Sequence, residues 1–118
     1  MDNTTYEFFI RRAWKCDRFE HGADTDTWDA LGREYWTYQE AAGTPQENKS
    51  KKEFEKIFTE AKTHIDRAYG QLLNTNANNA ELVAQLTDLR ARANDAARPI
   101  DLFGVLRASM DLIIEHGL

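Results

Sequence analysis

The sequence predicts an all-α fold, a compact antiparallel bundle of four to five helices forming one domain over residues 1–118. Three observations predict it. Apolar residues recur at intervals of three and four along five segments, the spacing of one helix face. The segments are bounded by residues that start or stop helices. Alternation of apolar and polar residues over five positions is hard to find, so no strand pattern competes.

The first expected helix opens at Thr4-Thr5-Tyr6-Glu7, a capping box in which the hydroxyl and the carboxylate satisfy each other's backbone amides. Tyr6, Phe9, Ile10, Ala13 and Trp14 form its stripe, which fades near Asp17, and Gly22 is placed to end it. The second starts within Asp24-Thr25-Asp26-Thr27, where each residue can cap and the acids suit the positive end of a helix dipole. Its stripe is Trp28, Leu31, Tyr35 and Tyr38, with Trp36 beside it, and it stops at Ala41-Ala42-Gly43.

The third has two competing starts, Thr44-Pro45-Gln46-Glu47 and Ser50-Lys51-Lys52-Glu53. Residues 45–53 lack a large apolar side chain, so a helix there projects into water. From Phe54 the stripe is regular: Phe54, Ile57, Phe58, Ala61, Ile65, Ala68, Tyr69 and Leu72. Asparagines between Asn74 and Asn79 mark a loop. Asn78 and Glu81 can open the fourth helix, which carries Leu82, Val83, Leu86, Leu89 and Ala93 and is broken at Arg98-Pro99. The fifth runs from Pro99, with Ile100, Phe103, Leu106, Met110 and Ile113 expected inward, Leu102 and Ile114 alongside, and Gly117 as its stop.

Composition narrows the function classes. With 42% apolar and 30% charged residues, and thirteen aromatics, the chain has the make-up of a folded domain. The lone Cys16 excludes an internal disulfide, which argues for a reducing, cytoplasmic setting. No segment approaches the roughly 20 apolar residues of a membrane helix. Met1 to Trp14 has no apolar run longer than Phe8-Phe9-Ile10, too short for a signal peptide.

Tests for chemistry find little. Cys16 and His21 are five residues apart, a poor fit to one helix face, and the bland reading is a semi-buried small residue. His64 sits beside the third stripe with Glu60 one turn before it, and reads as a boundary histidine. The nearest approach to a metal site is Asp17 and Glu20 with Asp26 and Asp29, which could hold a hard cation across a helix turn. Helix capping and solvation account for these acids more simply. Lys49, Lys51, Lys52 and Lys56 are interrupted by Glu53 and Glu55, and Arg90, Arg92 and Arg98 form only a second weak basic set. No catalytic set, metal or cofactor is expected, and nucleic acid is a poor fit.

Two signals remain, both within residues 1–40. Nine of the thirteen aromatics lie there. The whole net charge of −5 also falls in one stretch, since Asp17–Glu40 holds seven acids against two bases while the rest of the chain balances. Aromatics anchor binding sites, and acids around them steer basic partners. The expectation is a non-enzymatic protein that docks its first and second helices on a basic protein surface. Phe19, Trp36 and Tyr38 would anchor it, with Asp24, Asp26, Asp29 and Glu34 as the charged rim. By size and charge alone it is of a kind with immunity proteins and small inhibitors; no motif ties it to a family. Three other classes compete: a structural subunit self-associating through the apolar edge of the fifth helix, a nucleic-acid accessory subunit, and a metal-dependent hydrolase using the acids named above.

Overall fold

The computed structural model describes the backbone from Thr25 to Leu118 and the side chains from Leu31 onward. The first expected helix therefore lies outside the described residues, with Phe8, Cys16, Asp17, Phe19, Glu20, His21 and Asp24. Over the described residues the protein is all-α and forms a helical bundle: α1 Thr25–Glu40, α2 Glu47–Thr75, α3 Ala80–Asp95 and α4 Pro99–His116. These correspond to the second to fifth expected helices.

The ends of the helices follow from local chemistry. Between α1 and α2 the chain turns through Gly43, whose φ of 79° lies in the left-handed region that glycine adopts without strain. The Thr44 hydroxyl donates to the Ala41 carbonyl at 2.6 Å and accepts from the Gln46 amide at 3.2 Å. Glu47 reaches back to accept from the Gly43 amide at 3.4 Å. The helix thus starts at Glu47, between the two expected starts, and Thr44 fixes the turn rather than the cap. Asn79 caps α3, its side chain accepting from the Leu82 amide at 3.2 Å, one residue later than expected. Proline opens α4 and Gly117, at φ 65°, closes it.

The 29-residue α2 is the spine. At 1.5 Å per residue it is about 43 Å long, which accounts for most of the 52 Å long axis of a molecule only 26 by 19 Å across. Helices pack on it at both ends. Near its start, Phe54 meets Tyr35 and Tyr38 of α1, with ring centroids 5.1 and 5.7 Å apart, and stacks on Phe58 at 5.3 Å. Farther along, Lys62 bonds the Ala96 carbonyl, while Asp66 bonds both Asn94 and Arg90. Rising numbers on α2 meet falling numbers on α3, so these two helices are antiparallel. The α4 helix packs on α3 and reaches α1, and the Tyr69–Ser109 hydrogen bond joins α2 to α4.

One continuous core results, from Leu31 through Phe58, Ile65, Leu72, Leu86 and Leu106 to Ile113. The stripe expected on the spine is buried except Ile57, which is half-buried, and the α3 stripe is buried except half-buried Val83. The α4 stripe requires a correction. Ile100 is 60% exposed, Phe103 and Met110 are half-buried, and the buried residues are Leu102, Val105, Leu106, Ser109, Leu112 and Ile113. The inward face is rotated by about a quarter turn, at 100° per residue. Apolar residues lie on nearly every side of this helix, so spacing alone cannot choose the buried one.

Candidate functional site

The outer face of α1 is the candidate binding surface, and its geometry follows from the inner face. Leu31 is fully buried, and Tyr35 and Tyr38 lie half-buried against the core. Helical periodicity then sends Trp36 outward, 66% exposed. Arg33 and Glu40, at i−3 and i+4 from Trp36, share that outer stripe and are exposed. Asp29 occupies the register position two turns before Trp36 on the same stripe, and Asp26 borders it. Tryptophan is highly buried on average, so an indole standing in water on a helix surface is a departure that the fold does not require.

Gly32 adds a second departure. It lies one turn before Trp36, is exposed, and a Cβ built there meets no atom within 4 Å. Glycine inside a helix costs about 1 kcal/mol relative to alanine. Neither a turn nor a close neighbour within the described chain asks for it. Beside the indole it leaves bare backbone, a shallow step that another surface can approach closely.

The residues expected to form the binding set are thus divided. Trp36 stands outward. Tyr38 lies half-buried with its ring stacked on Phe54, so it supports the helix from within. Glu34 is half-buried on the side away from Trp36. Asp26 and Asp29 lie on α1, while Phe19 and Asp24 fall outside the described residues. Gly32 was not anticipated, although a glycine on the polar side of a helix stripe is visible in sequence.

Charge elsewhere is committed to structure. Asp66 accepts from Arg90 Nε at 2.7 Å and Nη2 at 2.9 Å, a two-point clamp, and from Asn94 Nδ2 at 2.9 Å. The Arg90 hydrogen bonds, aided by Asn94 and opposed by burial, lower the Asp66 carboxyl to about 2. Beside it, Lys62 donates to the Ala96 carbonyl at 2.8 Å and stands 5.1 Å above the Phe58 ring. Thr59, Lys62, Thr63, Asp66 and Asn94 line a cleft between α2 and α3. Its acid and its base are both engaged, so it clasps the two helices and offers no poised group. The pairing of Asp66 with Arg90 spans 24 residues and has no linear signature.

The weak basic set is spent in the same way. Arg90 is clamped, Arg98 bonds Asp101 through two contacts of 3.0 and 3.1 Å, and Arg92 lies 3.7 Å from Asp88. Lys49, Lys51, Lys52 and Lys56 are exposed, as are the intervening Glu53 and Glu55, which is a mixed face and no basic stripe. His64 is half-buried beside the core stripe, and Glu60 is exposed.

The buried hydroxyl pair also has a structural role. Ser109 Oγ donates to the Val105 carbonyl at 2.9 Å. With its single proton so used, it accepts from Tyr69, and the chain runs from Tyr69 to Ser109 to Val105. Both side chains are fully buried, and burial pushes the Tyr69 phenol well above its ordinary range. A nucleophilic serine needs a base to take its proton; here a carbonyl holds it. Among the described residues, no group of three or more His, Cys, Asp or Glu is placed to hold a metal ion, and no helix is long and apolar enough to cross a membrane.

No protein-family model, curated protein or solved structure matches this chain.

Proposed function

We propose that this protein is a cytoplasmic, non-enzymatic binding protein, a single antiparallel bundle that docks the outer face of α1 on a basic surface of another protein. The observation that carries the reading is Trp36, 66% exposed at the centre of a helix stripe. Asp29 and Glu40 stand on that stripe, Gly32 beside it, and the chain's acidic excess falls in the stretch of sequence, 17–40, that contains it. Tryptophan leads the residues that dominate binding energy at interfaces. Carboxylates at the rim raise the rate of encounter with a basic partner.

The test uses the full chain as bait in extract from its native host, beside Trp36→Ala and Asp29→Lys/Glu40→Lys. Trp36 is two-thirds exposed, so its loss should change stability by less than about 0.5 kcal/mol. A basic protein retained by the wild type should be lost from Trp36→Ala. The charge-reversed bait should lose it too. Raising salt from about 0.1 to 1 M, which shortens the Debye length from about 10 to 3 Å, should release it. An unchanged set of retained proteins on all three baits overturns the reading.

A further inference from the structure

A second outer face, on α4, is shaped for something the described fold does not supply. Ile100 and Ile114 are 60% and 61% exposed. They lie on one outward stripe with Gly104, Arg107 and Asp111, all exposed, at spacings of four, three, four and three residues. That is the spacing of a seam between paired helices. Gly104 repeats the anomaly of Gly32: it sits inside a helix, and a Cβ there would meet nothing within 4 Å. It opens onto a shallow cleft between α3 and α4 that Ala96, Ala97, Ile100 and Val105 also line, together with charged Arg92, Asp95 and Asp101.

We propose that this face docks on the same face of a second copy of the chain, α4 against α4 in antiparallel order. The register follows from the residues. In an antiparallel pair centred at the level of Ser109, residues equally far on either side of that point are opposed. Gly104 and Ile114 are each five residues away, so each Ile114 seats over the other copy's Gly104, in the cleft beside Ile100. Arg107 and Asp111 are each two residues away, so each guanidinium meets the other copy's carboxylate. A two-fold interface must be self-complementary in this way. A knob facing a notch and a cation facing an anion, both about one centre, satisfy that condition with one stripe. The missing Cβ at Gly104 makes room for the knob. The apolar patch is small, so the dimer is weak and forms as concentration rises.

Sedimentation equilibrium of the full chain tests the proposal. Mass should rise from 13.6 kDa towards twice that value as concentration increases from micromolar to millimolar. A chain that stays at its monomer mass throughout overturns it. Ile114→Glu, an exposed position, should weaken association at least tenfold. Gly104→Ala should weaken it while raising the melting temperature of the dilute monomer, an opposition that a purely structural glycine cannot give. Arg107→Asp and Asp111→Arg should each weaken the dimer, and the double swap should restore it. Association that ignores Ile114→Glu, or a double swap no better than the singles, contradicts the docking. Should Ile114→Glu lose its helical circular dichroism, the charge swap decides alone.

Discussion

The two ends of α2 are held in different ways. At its start the contact layer is built of rings: Tyr35 and Tyr38 from α1 lie against Phe54 and Phe58. Both tyrosines remain half-buried, and among the described side chains of α1 the large one that is fully buried is Leu31. Toward its other end the layer is aliphatic and closed. Ile65, Leu72, Leu82, Leu86, Leu102 and Leu106 are all within 1% of full burial. Two polar clasps, Asp66–Arg90 and Tyr69–Ser109, tie the helices together there. The difference teaches where function fits. The ring-packed helix displays the exposed tryptophan, and the aliphatic end keeps its polar groups for itself.

The comparison breaks most readily in the aliphatic core. Leu106→Ala should cost about 3–5 kcal/mol, the range for a fully buried leucine whose site cannot collapse. Denaturant melts followed by circular dichroism and by fluorescence should shift together. Leu31→Ala should cost about 2–3 kcal/mol, the lower part of the range for a buried leucine. Hydrogen exchange separates the two ends: amides of α1 should exchange faster while those of α3 and α4 keep most of their protection. Equal loss of protection in all four helices would show that the ends are not distinct.

The clasps give smaller effects. Tyr69→Phe removes a buried donor and leaves Ser109 short of one partner, at a cost of about 1–2 kcal/mol by thermal melting. Asp66 supplies a pH signature. Its carboxyl is held at about 2 against an ordinary value of 3.8, so its contribution is complete above pH 4 and is lost as pH falls through 2. About a third of each partner's side chain is exposed, and solvent screening reduces the contribution to about 1 kcal/mol. Asp66→Asn should remove that part of the acid sensitivity between pH 4 and 2.

Helix content was legible because caps and stripes agree. Asn79, Pro99 and Gly117 mark their ends by local chemistry, and the Phe54–Leu72 stripe reads directly onto the spine. What could not be read depends on distance or on rotation. No linear pattern announces that Asp66 meets Arg90. On α4, Ile100, Leu102, Val105, Leu106, Ile113 and Ile114 surround the helix, and only the neighbours decide which are covered. The outward turn of Trp36 is legible in the sequence, since Leu31, Tyr35 and Tyr38 claim the inner face and Trp36 stands off it. Tyr38 lies on that inner face, half-buried against the core.

The central claim is that two outer faces carry residues chosen for contact with other surfaces, at some cost to the monomer. Gly32→Ala with Gly104→Ala, melted at micromolar concentration, tests it most directly. Each substitution should stabilise the helix by about 0.5–1 kcal/mol, and about 4–8 °C per kcal/mol is typical of domains near this size. A higher melting temperature for the double variant is the predicted result. A lower one would mean that the monomer itself needs at least one of these glycines, and the two faces would not share one cause.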